Sequence, residues 1–154
     1  WVSDGTSEGT LMLKDINPGM GDYSALSSYP FRFTIFDDKL FFCAEENEHF
    51  QELWMTDGTA EGTSMFYDLN PNGSSFANLF TVCNDRLYFK AFYPDYKKLL
   101  SIGSSVDEPI VHYADDFSYG SDTEFYQFFI LNNKLHFFKA KKAKFYCSIP
   151  NHNV

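Results

Sequence analysis

Two short stretches place oxygen-bearing side chains two residues apart beside a proline: Asp15-Ile16-Asn17-Pro18 and Asp68-Leu69-Asn70-Pro71. A carboxylate and a carboxamide are hard donors, and Ca²⁺ gathers ~6–8 such oxygens. Each stretch offers two, so backbone carbonyls, water or Asp22 would have to complete a shell. The competing reading is that these side chains only cap their own loops. The spacing matches neither an EF-hand nor an RTX repeat. Asn72-Gly73-Ser74 is an N-glycosylation sequon within a turn-forming stretch. Catalytic chemistry has less to build on. His49, His112, His136 and His152 are scattered, and His136 stands between Leu135 and Phe137, where a packed imidazole is expected. Carboxylates abound, but a glycosidase pair is defined by its separation in space. No phosphate-binding glycine loop, G-x-S-x-G or H-E-x-x-H occurs. The expectation is no catalytic residue and no cofactor, with calcium the one candidate.

A longer pattern frames those stretches. The opening W-V-S-D-G-T-S-E-G-T returns as W-M-T-D-G-T-A-E-G-T, with Trp1 matching Trp54, Asp4 matching Asp57 and Thr10 matching Thr63, an offset of 53 residues. Such self-similarity is the mark of a repeat architecture. Between the copies lie apolar runs hinged on pairs of Asn or Asp: Asp37-Asp38, Asn84-Asp85 and Asn132-Asn133, at intervals of 47 and 48 residues. Asx residues tolerate the positive φ that a two-residue hairpin requires. The spacing predicts hairpins over 31–46, 79–92 and 126–140.

In the first hairpin Phe31, Phe33 and Ile35 are expected on one face and Phe36 on the other, so both faces are apolar and must be covered. Each hairpin is followed by a strand pair around a loop: 52–56 with 63–69, an eroded version over 98–116, and a first half over 144–151. The opening residues, "WVS" and "TLMLKDI", read as the same pair. Four antiparallel strands in ~50 residues is the size of a β-propeller blade. The predicted fold is all-β and β-propeller-like, with about three four-stranded antiparallel blades. A β-sandwich is the alternative. The whole of 1–154 is read as one propeller-type domain or segment, with repeats at approximately 1–53, 54–100 and 101–154.

Glu52-Leu53-Trp54-Met55-Thr56-Asp57-Gly58-Thr59 resembles the ELWxxDGT repeat of extracellular and cell-surface proteins, often described as hyalin-like. Gly62-Thr63 and the D-L-N-P stretch agree with it, as do Gly9-Thr10 and D-I-N-P-G in the first copy. The resemblance implies a propeller-like fold and an extracellular or cell-surface setting, and it implies no reaction. The motif residues Trp1, Asp4, Gly5, Thr6, Trp54, Asp57, Gly58 and Thr59 are expected to be structural. The Asp carboxylate should accept backbone N–H bonds across its turn, Gly58 and Gly62 should meet conformations closed to a Cβ, and the indole should wedge against a neighbouring blade with its N–H on a loop carbonyl. The logic resembles that of the Asp-box turns of sialidase propellers.

Composition narrows the function classes. With 18 Phe and 10 Tyr among 154 residues, the chain can bury a large core. Net charge is −9, and all 21 acids precede residue 125. That argues against nucleic acid as partner. No apolar run has the ~20 residues of a membrane helix, no signal peptide is visible, and the chain opens on Trp1, as a processed product or fragment would. Cys43, Cys83 and Cys147 form no disulfide framework and no zinc pattern; free thiols are expected, with one disulfide plus one free thiol as the alternative.

The last 30 residues carry Lys134, Lys139, Lys141, Lys142 and Lys144 and no acid, either as a solvated strand edge or as an assembly surface. The two ends read as complementary half-blades. The segment is therefore expected to complete its blades with other copies of itself or with flanking blades, Lys139, Lys141, Lys142 and Lys144 forming the junction. The function so predicted is a non-catalytic repeat protein acting in adhesion or binding of a glycan or surface protein. A structural subunit of a surface filament is the alternative, and a glycan-active propeller enzyme the third.

Overall fold

The computed structural model describes residues 1–93, 97–103, 110–111 and 124–140. Among them there is no helix, hence none long and apolar enough to cross a membrane. The chain is all-β and divides into two compact units, residues 1–75 and 76–154.

The first unit holds one four-stranded antiparallel sheet in the order β1-β2-β3-β4, with β1 at Phe31–Phe36, β2 at Lys39–Glu46, β3 at Phe50–Thr56 and β4 at Ser64–Tyr67. The second holds the same meander, β5 (Asn78–Cys83), β6 (Arg86–Phe92), β7 (Lys97–Gly103) and β8 (Ile110–Val111), and a separate hairpin of β9 (Glu124–Leu131) and β10 (Lys134–Ala140). The third strand pair is thus present as β7 and β8, while residues 144–151 lie outside the described residues.

The hairpins turn where the Asx pairs stand. Asp37 and Asp38 have φ of 51° and 56°, Asn84 and Asp85 48° and 54°, Asn132 and Asn133 51° and 55°. Positive φ at both central residues is the type I′ geometry, whose twist suits the flanking strands. The closing pairs are Phe36 with Lys39, Cys83 with Arg86 and Leu131 with Lys134.

One face assignment is corrected. A bulge at Arg32 (φ 60°) shifts the β1–β2 register between Phe31 and Thr34. Phe31 then pairs with Cys43, whereas Ile35 pairs with Leu40. Directly opposed residues share a face, so the extra residue moves Phe31 to the face opposite Ile35. The same bulge recurs in β5, at Leu79 (φ 61°). Coverage is also uneven: Phe41, Phe42, Cys43 and Ala44 are all buried along β2, but Phe33 and Ile35 on the edge strand are 56% and 74% exposed.

Phe42, Ala44 and Trp54 form one cluster of the first sheet, packed with Ile16 and Met65. In the second unit Cys83, Leu99, Phe128, Leu135 and Phe137 form a common core that joins the β5–β8 sheet to the β9–β10 hairpin. The Asn84 amide, donating to the Asn133 carbonyl at 2.9 Å, ties the two turns together. Cys43 and Cys83 are buried free thiols, and burial pushes Cys43 up to about 12. Cys147 lies outside the described residues.

A second correction concerns the opening copy. "WVS" and "TLMLKDI" form no strand pair, only one isolated antiparallel bridge between Val2 and Leu11. The equivalent β3–β4 pair is held in register by β2, which bonds all along β3. No described strand does that for Val2.

Candidate functional site

The loop between β3 and β4 shows why D-G-T-x-E-G-T recurs. Asp57 Oδ1 accepts the Thr59 backbone N–H at 2.9 Å and the Thr59 hydroxyl at 2.7 Å. The Thr59 hydroxyl in turn accepts the Gly62 N–H at 2.9 Å, and Thr63 donates its hydroxyl to the Thr59 carbonyl at 2.6 Å. Thr56 and Thr63 close the base of the loop, oxygen to oxygen, at 2.7 Å. Asp4, Thr6, Gly9 and Thr10 repeat this network at nearly the same lengths. Thr59 holds the Asp57 carboxyl below its ordinary range, and Thr6 does so for Asp4.

The two glycines of the motif have different reasons. Gly58 has φ of 93° and Gly5 92°, closed to most side chains. A Cβ at Gly62 would instead stand 2.1 Å from Asp57 Oδ1, and one at Gly9 2.0 Å from Asp4 Oδ1. The requirement there is close approach of the carboxylate. Lys14 links the copies: its ammonium donates to the Thr63 carbonyl at 2.5 Å and to Ala60 at 3.4 Å.

The tryptophans depart from expectation. Trp54 is 7% exposed, and its indole N–H has no hydrogen-bond partner rather than a loop carbonyl. Trp1 is 81% exposed. It lines an open groove of about 330 Å³ with Met12, Ile16, Phe33 and Phe42, where Lys14 and Asp15 also contribute.

Glu52, the first letter of the motif, has a role the sequence does not announce. It is fully buried on β3. Oε2 accepts the Leu69 N–H at 3.0 Å and Oε1 the Ser75 N–H at 2.9 Å, so one carboxylate spans the 68–75 loop. Burial pushes its pKa up to about 7 against the lowering effect of those bonds, with the nearby Asp68 charge pushing the same way as burial.

The D-x-N stretches sit in equivalent places. Asn17 is 6% exposed, and its amide nitrogen donates to the Ser27 carbonyl at 3.2 Å. Asn70 does the same to Ser74 at 3.0 Å. Asn17 Oδ1, Asn70 Oδ1 and Asp68 Oδ1 are buried without a hydrogen-bond partner, while Asp15 is exposed. Asn72 is exposed in the turn that follows, accessible as a sequon requires.

A further cluster, Glu46, Glu48 and His49, lies at the β2–β3 turn. Glu46 accepts the Glu48 and His49 N–H groups at 3.2 and 2.9 Å and also engages His49 Nδ1. Burial opposes ionisation of Glu46, but these bonds outweigh it and lower its pKa, while Glu46 raises that of His49. The carboxylate is thereby occupied as a turn cap. His136 stacks on Phe129 with ring centroids 5.3 Å apart. Lys139 pairs in β10 with Phe125. Lys141, Lys142, Lys144, His112 and His152 lie outside the described residues. No family model, no curated protein and no solved structure matches the chain.

Proposed function

We propose that the chain belongs to a non-catalytic extracellular or cell-surface repeat protein of the β-propeller type, which binds a glycan or a surface protein in adhesion. The observation that carries this reading is the groove beside the first sheet. Trp1, Met12 and Phe33 present apolar surface to solvent there, 81%, 55% and 56% exposed, beside the charged Lys14 and Asp15. Ligand sites typically combine aromatic walls with a few polar groups that fix orientation, and rings of this kind suit the C–H faces of a sugar or the apolar side chains of a partner. The four-stranded meander, which recurs as β1–β4 and β5–β8, supports the propeller type.

A glycan array and a pulldown of surface proteins test the reading, with Trp1→Ala and Phe33→Ala as probes. Binding that survives both substitutions would reject the groove. A second reading, a structural subunit built from copies of the chain or from flanking blades, is favoured by Phe33 and Ile35, which leave edge strand β1 apolar and uncovered. In that reading the lysines at 139, 141, 142 and 144 form the junction. Mass photometry showing a monomer at all concentrations and salt levels would reject it.

A further inference from the structure

We propose that the Asp68-Leu69-Asn70 loop is a calcium site, and that Asp15-Ile16-Asn17 is its counterpart in the first copy. The starting point is an unmet need for hydrogen-bond partners. Asn17 is more than nine-tenths buried, and its amide nitrogen is committed to the Ser27 carbonyl. That fixes the orientation of the carboxamide and turns Oδ1 away from Ser27, where it meets no donor. Asn70, committed to Ser74 through its nitrogen, has the same unpartnered Oδ1, and Asp68 adds an unpartnered carboxylate oxygen.

The two cradles correspond at both ends, although Ser27 lies ten positions after Asn17 and Ser74 four after Asn70. Ser27-Ser28 and Ser74-Ser75 each precede an aromatic residue at positive φ, Tyr29 at 41° and Phe76 at 49°. An isolated unpaired oxygen could be an accident of packing. The same atom left unpaired at the same place in two copies is a property of the design.

These atoms can only accept. Buried acceptors left bare are costly, so something positive or hydrogen-donating must meet them. No described Lys or Arg donates to any of the three oxygens. The chemistry favours a hard cation over water in the second copy, because Asp68 brings a second carboxylate into the loop that the buried Glu52 carboxyl already spans. A divalent ion at Asp68 and Asn70 would balance both. Carboxylate and carboxamide oxygens with loop carbonyls and water are the donor set of Ca²⁺, whereas Mg²⁺ demands a tighter octahedron. Glu52 acts here as a positioning residue, since its bonds to the Leu69 and Ser75 N–H groups hold both ends of the loop.

The experiment titrates CaCl₂ into the chelator-stripped full chain by calorimetry, with Tb³⁺ luminescence as a second readout. Wild type should bind Ca²⁺ in the range of extracellular modules, about 10⁻⁴–10⁻³ M, and more tightly than Mg²⁺. Asp68→Asn keeps the shape and an acceptor but removes the charge. It should weaken binding about tenfold or more and abolish the rise in melting temperature that Ca²⁺ confers on wild type. Glu46→Gln, at the other turn, should leave binding intact. Absence of Ca²⁺ binding to wild type at ~10⁻² M, well above that range, would overturn the proposal and assign the three oxygens to water. So would unchanged binding in the Asp15→Asn, Asp68→Asn double variant, or loss of binding in Glu46→Gln, which would put the ion on the Glu46–Glu48–His49 turn.

Discussion

Replacing Glu52 by Gln tests whether a single buried carboxylate fastens the loop after β4. Both oxygens of Glu52 accept backbone N–H groups, from Leu69 and Ser75. Glutamine keeps the shape but offers one acceptor, so its NH₂ must face one of those donors. Turned towards Leu69, it would leave that buried donor unsatisfied at a cost of about 1–3 kcal/mol; turned towards Ser75 it costs less, because the Ser75 N–H keeps the Gln51 carbonyl at 2.9 Å. The carboxyl also titrates. Burial raises it from 4.5 to about 7, so the folded chain holds the proton more tightly than the unfolded chain does. Its contribution to stability is therefore fully present below about 4.5, falls as pH rises towards about 7, and is flat above that. At ~1.36 kcal/mol per unit, the swing is roughly 3 kcal/mol at most, and nearer 1–3 kcal/mol once solvent around the loop screens the charge.

The stability of wild type relative to Glu52→Gln should thus fall by about 1–3 kcal/mol between pH 5 and pH 8. Urea denaturation across that range, in chelator, reads both curves. The Glu46–His49 pair titrates in both proteins, so the difference between the curves isolates Glu52. Parallel curves would refute the assignment, because they would mean that the Glu52 proton has nothing to do with folding.

Gly62→Ala should destabilise the first unit by about 1–3 kcal/mol, since the new Cβ would stand 2.1 Å from Asp57 Oδ1; thermal melting checks it, and a neutral result would mean that the carboxylate can leave Thr59 freely. Lys14→Met should speed amide exchange across residues 60–63 and cost about 0.5–1.5 kcal/mol, by loss of the bonds to Thr63 and Ala60. Cys43, with its thiol pushed up to about 12 by burial, should resist a disulfide reagent at neutral pH until the chain unfolds; rapid native labelling would contradict its burial.

The hairpins are legible in the sequence because their cause is local. A pair of Asx residues between apolar runs can supply two successive positive φ angles, and all three pairs do so. The loop fastening by Asp57 is legible for the same reason, since its partners lie within six residues. What is not legible depends on contacts distant in the chain. The Arg32 bulge comes with Phe31 paired to Cys43, a register that alternation cannot see. Trp1 and Trp54 carry the same motif, yet one is exposed and the other buried, because only Trp54 lies in a strand held by a ladder on each side. The role of Glu52 depends on residues 17 and 23 positions away.

These assignments bear on where binding specificity can reside. Glu52 holds the 68–75 loop, Leu53 and Trp54 lie in the core, and Asp57, Gly58 and Thr59 fasten the β3–β4 turn. In the second copy these letters of the motif are thus committed to keeping one meander and its loops in shape, and a change at any of them alters the fold before it alters a surface. The groove is lined differently. Met12 and Phe33 lie outside the motif and are more than half exposed. A substitution there can change what is bound while leaving the meander intact, which is the division of labour expected when repeated loops and strands present a variable face. Met12→Ser should accordingly leave the melting temperature within about 2 °C, as surface changes of under ~0.5 kcal/mol do, and lower the affinity for whatever the groove takes. If Met12→Ser instead unfolds the first unit while ligand binding tracks only the folded fraction, the groove is part of the core and not a recognition surface.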